Sequence, residues 1–241
     1  MKLNLGCGKQ KCPGWTRVNL SRADININFE TMDKLPIENN SCEVIFCGHL
    51  IEHLNDKTNQ KLFQEVHRVL KRNGIFRIIT PDFDLYKKYY FQNDIELFNQ
   101  FTIKGKKQVP ETKGYNIAER FINQFMSWAK PNGKGKLRKN FYKISKEDFD
   151  LLLQSNFNNL KTQKDVEGYI QYIKQFLPKN HDNITFLHIN AFNYKRIKSF
   201  LKEAGFENIW KSKFKESKYN QLNTLNWDKF EDRSVFVECK K

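Results

Sequence analysis

The segment Gly48-His49-Leu50-Ile51-Glu52-His53-Leu54 follows the apolar run 42–47 and contains His49-x-x-Glu52-His53. Two chemistries use such residues. Two imidazoles four residues apart on a helix can hold a zinc ion while an intervening carboxylate activates a bound water, as in H-x-x-E-H peptidases. The other chemistry belongs to a turn at the end of a parallel strand, where a glycine admits a ligand and a histidine accepts a proton. The metal reading needs a stable helix and a third ligand. Only about seven residues separate the strand-like run from the turn at 55–60, and a helix that short is marginal without strong packing. No downstream pairing of histidine and glutamate marks a third ligand, so no metal is expected.

A second candidate is the glycine pair in Leu3-Asn4-Leu5-Gly6-Cys7-Gly8. Glycine at the tip of a strand permits positive φ and lets backbone amides approach a ligand with no Cβ in the way. Only about a dozen residues separate Leu5 from Val18, close to the minimum for a parallel crossover. A full helix does not fit there, so the helix dipole that would hold a pyrophosphate is weakened, and NAD is not expected. A cofactor with an amino-acid end, a nucleoside end and no phosphates tolerates so short a loop.

These residues need elements to position them. Period-two apolar runs predict strands at 2–5, 16–20, more weakly 23–29, then 42–46 and 75–80. Between the last two, Leu62, Phe63, Val66, Val69 and Leu70 recur at helical spacing over 59–74, with Gly74 as the expected left-handed cap. Strands joined in this way predict an α/β fold: a Rossmann-like, doubly wound, mostly parallel sheet. Residues 83–185 are aromatic and basic, with candidate helices at 82–91, 116–128, 145–155 and 165–177. Ser145 with Asp148 makes a weak capping-box variant, and 130–136 reads as a mobile loop. The α/β pattern returns with a helix at 193–206, capped by Gly205, and strands near 207–214 and 233–240. The expected organisation is a core of 1–82 and 186–241, with 83–185 as a helical insertion, or lid, between the fifth strand and the C-terminal strands.

Lys and Arg number 42 against 27 acidic residues, a net charge of +15. That charge favours anionic partners and equally describes the solvated faces of lysine-rich helices. The five cysteines, Cys7, Cys12, Cys42, Cys47 and Cys239, are odd in number and include no CxxC pair. Alternation along one strand would put Cys42 and Cys47 on opposite faces. No targeting segment is read at the start, and no apolar run approaches membrane-spanning length. The expectation is a soluble, cytoplasmic, reduced protein.

Taken in order, the motifs LNLGCG, PGW, VNL, LPIENNSCEVIFCGHLIEHL and VHRVLKRNGIFRIITPD resemble class I S-adenosylmethionine-dependent methyltransferases of the type 11 kind. They look closest to compact bacterial versions associated with surface-polysaccharide and small-molecule pathways. The C-terminal HINAFNYKRIKSFLKEAGF and RSVFVECKK extend the resemblance, while 83–185 lies outside it. The resemblance implies S-adenosylmethionine as cofactor and S-adenosylhomocysteine as product. It implies that Leu5, Gly6, Cys7 and Gly8 cradle the methionine end, and that Asn28 and Phe29 lie near the adenine. Gly48, His49 and Leu50 would run alongside the cofactor. Asn19 and Leu20 stand where the family usually has an acidic residue for the ribose hydroxyls, and Asp24 is an alternative acid from the next loop.

For the acceptor, a base is required only when the attacking group has a proton to lose. His53, His49 and His188 are the candidates; an acceptor that is already anionic needs none. Asp82 reads either as an acceptor-orienting group or as a helix cap. Tyr86, in the Tyr/Lys cluster 85–91, reads as lining for an anionic acceptor or as a packed helix residue. The expected activity is O-methylation of a small polar or anionic intermediate of cell-surface polysaccharide biosynthesis, with a phosphate, a phosphoramidate or a sugar as acceptor. A nucleic-acid methyltransferase is the first rival, prompted by the charge and the interleaved aromatics. Its mark would be an Asn/Asp-Pro-Pro-Tyr type of turn after the fourth strand, where Cys-Gly-His-Leu stands. A non-catalytic binding protein on the same fold is the second rival.

Overall fold

The computed structural model of the chain describes residues 1–94, 101–103, 106–108, 117–125, 128–129, 142–143, 166–175 and 188–241. The expected helix at 145–155 and loop at 130–136 lie outside the described residues. The chain divides into two compact units, one of residues 1–82 and 192–241 and the other of 83–191. The return to the first unit therefore comes at Phe192 rather than at 186. The chain leaves at Asp82 and re-enters beside it, since Asp82 and Phe192 form a parallel bridge.

The first unit is built on seven strands: β1 (Lys2–Leu5), β2 (Thr16–Asn19), β3 (Ile25–Asn26), β4 (Cys42–Gly48), β5 (Leu70–Pro81), β6 (Asn208–Ser212) and β7 (Ser234–Lys240). Their order is β6-β7-β5-β4-β1-β2-β3. All neighbours pair in parallel except β7, which is antiparallel to both β5 and β6. The strand order reverses direction between β1 and β4, and open α/β sheets bind ligands beyond the carboxyl ends of the strands at such a switch point. The register is tight there, because Leu5 pairs with Val18 on one side and with Cys47 on the other.

Both faces of the sheet are buried, and the side chains alternate between them. Leu3, Leu5, Ile45, Cys47, Phe76, Ile78, Val235 and Val237 share one apolar cluster with helices α1 (Asp56–Val69) and α2 (Tyr194–Glu203). The apolar stripe of α1 is Leu62, Phe63, Val66 and Val69. Its first turn is capped by Asn55, whose side chain accepts from the Thr58 N–H at 2.9 Å. At the end of α2, the Gly205 N–H donates to the Lys202 carbonyl and the Phe206 N–H to that of Leu201. Those two bonds form a Schellman cap, as expected for Gly205.

Three expectations are corrected. The helix predicted through Gly74 stops at Val69, where Leu70 turns extended into β5, and Asn73 rather than Gly74 takes positive φ. Gly74 is required for space, since a Cβ there would stand 2.8 Å from Leu70 Cγ. Cys42 and Cys47 fall in the same apolar cluster, because the register with β5 shifts between Cys42 and Val44. The opposite face carries Val44, Phe46, Ile75, Ile79 and Phe236, covered by Trp15 and by Leu222 and Trp227 from the segment between β6 and β7. Trp15 and Trp227 meet edge to face at 4.7 Å. Among the described residues, this cover includes only one short helix, Asn220–Thr224.

On that face the alternation also buries Arg77 with no exposed side-chain surface. All of its N–H donors are taken. Nε and Nη2 donate to Asp228, Nη1 donates to Ser212 Oγ and Glu238 at 3.0 Å each, and Nη2 donates to the Lys213 carbonyl at 2.8 Å. The two carboxylates in turn accept the backbone N–H groups of Lys215 and Lys218. The cluster ties β5 and β7 to the covering segment.

The second unit has its own core, in which Phe83, Tyr86 and Tyr90 pack with Phe121, Phe125 and Tyr169. Helices Phe83–Phe91, Ile117–Phe125 and Val166–Lys174 agree with three of the predicted helices. The expectation of a helical insertion is modified by two small two-stranded sheets. Among the described residues, no helix is long and apolar enough to cross a membrane.

The buried guanidinium yields a prediction. Arg77→Met removes the guanidinium paired with two buried carboxylates and should cost about 3–5 kcal/mol. The loss is read as a lower urea midpoint at unchanged m-value. A midpoint within error of the parent would contradict this role.

Candidate cofactor and active site

The site forms where the register leaves the tips of β1, β2, β4 and β5 level. One residue beyond the Leu5–Val18 and Leu5–Cys47 pairs stand Gly6, Asn19 and Gly48, and Gly48 pairs with Ile79, next to Thr80.

Each glycine is needed for its own reason. Gly6, at φ +66°, donates its N–H to the Val18 carbonyl at 2.9 Å, and a Cβ there would stand 2.9 Å from Leu50 Cβ. The Cys7 N–H is directed to the same carbonyl at 3.4 Å. These two amides therefore fasten the loop to β2 instead of facing a ligand, which corrects the reason expected for Gly6. Gly8 is the position that opens outward: it is exposed at φ +53°, with nothing within 4 Å of where a Cβ would project. Gly48 is required by Phe46, whose ring would lie 2.8 Å from a Cβ at that position.

The residues expected at the cofactor separate into two layers. Leu5, Cys7, Phe29 and Leu50 are buried, and Leu5, Phe29 and Leu50 belong to the main core. Burial pushes the Cys7 thiol up, partly offset by Arg17, so it stays protonated at neutral pH. Asn19, Asn28, Gly48 and His49 are partly exposed, and Gly8 and Leu20 are exposed. Asn19 donates from Nδ2 to the Ser21 carbonyl at 3.3 Å. Its Oδ1 is the group suited to accept from a ribose hydroxyl. Asp24 is engaged by its neighbour: its carboxylate accepts from Arg17 Nη2 at 2.7 Å, Arg17 Nε at 3.2 Å and the Arg17 N–H at 2.9 Å. The Arg17 hydrogen bonds hold the Asp24 carboxyl below the usual carboxylate range.

Beyond β4 the chain does not make an α-helix. His49 takes φ +53°, a conformation in which histidine is enriched among non-glycine residues, and its N–H donates to the Ile79 carbonyl at 2.8 Å. A single 3₁₀ turn, Ile51–His53, follows. His49 and His53 therefore do not share a helical face, and the arrangement of an H-x-x-E-H metal helix is absent from this segment. The buried Asn59 side chain fixes the turn by donating to the Ile51 and Leu54 carbonyls at 2.9 and 3.0 Å. Glu52 is 1 % exposed. Its Oε1 lies 3.1 Å from His49 Nδ1, and its Oε2 accepts from Thr80 Oγ1 at 3.0 Å. His49 Nε2 is buried and, among the described residues, has no hydrogen-bond partner. The sequence did not reveal Thr80 as part of this cluster, and only register with Gly48 could have placed it there.

The remaining candidates are placed as follows. His53 is partly buried in the 3₁₀ turn. Asp82 lies at the end of β5, with its N–H on the Arg233 carbonyl and its carboxylate 3.9 Å from Lys211 Nζ. Within the second unit, His188 Nδ1 meets the Gln124 carbonyl, and the Tyr86 ring is 2 % exposed against Phe125. Tyr86 thus takes the packed-residue reading.

The site can be tested without an acceptor, by calorimetry with S-adenosylhomocysteine. Gly8→Ala should weaken binding by about tenfold or more, at a stability cost of about 1–2 kcal/mol for its left-handed backbone. Asn19→Asp should tighten binding about tenfold, since a carboxylate makes charge-assisted bonds to both hydroxyls. Unchanged affinity in both variants would remove the ligand from these strand tips.

Residues 3–78 match the family model described as a methyltransferase domain. None of the curated proteins matches the chain. Solved structures similar to it include S-adenosylmethionine-dependent methyltransferases from Methanosarcina mazei (13 % identity, TM-score 0.44, 100 % of this chain and 91 % of that one) and Mesorhizobium loti (12 %, 0.42, 100 % and 90 %). Another, from Archaeoglobus fulgidus, shows 12 % identity and a TM-score of 0.42 over 100 % of this chain and 85 % of that one. The matched segment contains the glycine loop, Asn19, Gly48, His49 and Glu52, so the similarity to a methyltransferase domain falls on the strand tips that form the site.

Proposed function

We propose that the chain methylates an oxygen of a small anionic acceptor, with His49 taking the proton that the acceptor loses. The observation that carries this reading is the His49 ring at the tip of β4, whose Nε2 has no partner among the described residues. When bound, S-adenosylmethionine supplies a sulfonium methyl, which an oxygen lone pair attacks as the C–S bond breaks and its electron pair passes to sulfur. The protein's part is alignment and proton removal. Gly8, Asn19 and Gly48 would hold the cofactor, and His49 Nε2 accepts the hydroxyl proton as the new C–O bond forms. His53 and His188 are the other expected bases; His188 Nδ1 is already engaged by Gln124.

An anionic acceptor is supported by the net charge of +15, which raises the local concentration of phosphorylated metabolites. A hydroxyl on a phosphorylated sugar combines an anionic handle with a proton to lose. The resemblance to compact bacterial enzymes of surface-polysaccharide pathways supports that setting. Five free cysteines, four of them buried, suit a reducing cytoplasm.

The test is transfer of labelled methyl from S-adenosylmethionine to a panel of sugar phosphates. Asparagine tolerates the left-handed backbone of position 49 but cannot act as a base. His49→Asn should therefore lower kcat by about 10²–10⁴-fold while keeping affinity for S-adenosylhomocysteine. Undiminished kcat in that variant would rule out the base, and no transfer to any sugar phosphate would rule out the acceptor class.

A further inference from the structure

Glu52 is a carboxylate with almost no exposed surface, placed between a loop histidine and a strand threonine. Burying an ionised carboxylate costs several kcal/mol unless polar partners offset it. A link that served only to join β4 to β5 could be made by a neutral glutamine, which accepts from Thr80 equally well. What a carboxylate adds is that it only accepts hydrogen bonds, so a neutral imidazole facing it must present N–H. The nitrogen facing Glu52 is Nδ1, so the lone pair of the neutral ring is on Nε2, the atom without a partner among the described residues.

Three observations make the arrangement rigid. The positive φ of His49 and its N–H bond to Ile79 fix the root of the ring. Asn59 clamps the carbonyls on both sides of Glu52, at Ile51 and Leu54. Thr80, on a fully buried strand end, fixes the second carboxylate oxygen. Cys47, also near the carboxylate, does not compete as a proton donor or acceptor at neutral pH. Burial, with the Glu52 charge added, pushes its thiol far up.

We infer that Glu52 is a positioning residue, held by Thr80, that locks His49 in the Nδ1–H tautomer so that Nε2 faces the acceptor. This rests on His49 being the proton acceptor of the methyl transfer. In Glu52→Gln the new carboxamide N–H donates to Nδ1, the ring proton moves to Nε2, and the lone pair turns inward. The fold keeps its Thr80 bond.

The deciding measurement is ¹⁵N NMR of the histidine-labelled full chain, free and with S-adenosylhomocysteine. The parent protein should show His49 as the Nδ1–H tautomer, and Glu52→Gln should show Nε2–H. With labelled S-adenosylmethionine and a sugar phosphate that accepts methyl, Glu52→Gln should lose about 10²–10⁴-fold in kcat, with KM and cofactor affinity retained. Thr80→Val should show a mixture of the two tautomers and a smaller loss. An Nε2–H ring in the parent overturns the inference, and this reading needs no variant to fold. Unchanged kcat in a folded Glu52→Gln overturns it as well. An Nδ1–H ring together with a fully active His49→Asn overturns the proton-acceptor reading instead, so the two failures are distinguishable.

Discussion

The pairing of β1 with β2 on one side and β4 on the other is the constraint on which the rest depends. Leu5 is bonded in register with Val18 and Cys47 at once, which leaves Gly6, Asn19 and Gly48 at one level. A slip of one residue in either pairing would turn every side chain of the strand to the opposite face. Slippage is opposed on both faces, because β4 buries Val44 and Phe46 on one and Ile45 and Cys47 on the other. The site is therefore held by the same packing that stabilises the sheet. Leu50 adds a cross-brace: it seats on the bare backbone of Gly6 and so ties the loop after β4 to the loop after β1.

Among the described residues, His49 shares a left-handed backbone with Arg22, Asn40, Asn73, Asn93, Lys215 and Phe230. A left-handed backbone at a non-glycine residue costs about 1–2 kcal/mol. At His49 the surrounding bonds to Ile79 and Glu52 maintain it. The ring of His49 also carries a nitrogen without a partner among the described residues, a coincidence of the kind found at sites where geometry is fixed for chemistry. Neither group is in a flexible loop. Both hang from strand ends through a turn whose carbonyls are clamped by the fully buried Asn59.

Much of this was legible in the sequence because it rests on short-range pattern. Period-two alternation located β1 to the residue, most of β4 and half of β5, and helical spacing located the buried stripe of α1. What pattern misses is contact between distant segments. Arg77 stands in Ile-Phe-Arg-Ile-Ile-Thr as one polar residue in a strand, while its partners Asp228 and Glu238 lie 151 and 161 positions away. The cover of the second sheet face comes from a lysine-rich segment whose apolar residues, Phe214, Leu222 and Trp227, follow neither period. Asp24 was read as a spare acid because nothing local shows that Arg17, seven residues earlier, folds across it on the neighbouring strand. For Gly6 and Gly48 the need for glycine is tertiary: Leu50 in one case, Phe46 in the other.

The two buried charged clusters show how the same physics separates scaffold from chemistry. Around Arg77, every N–H of the guanidinium is spent, and both carboxylates accept further backbone bonds. In such a network every guanidinium N–H is paired, and its contribution is specificity of packing. Around Glu52 the satisfaction is one-sided. The carboxylate is met by an imidazole and a hydroxyl, while the far nitrogen of that imidazole has no partner among the described residues. An unmet buried acceptor costs about 1–3 kcal/mol and persists only where the frame forbids relaxation. The frame at the β4 tip does forbid it, through the clamped turn and the Ile79 bond, so the deficit persists at Nε2. That asymmetry, more than the presence of histidine and glutamate, is what favours the β4 tip in the proposed reaction.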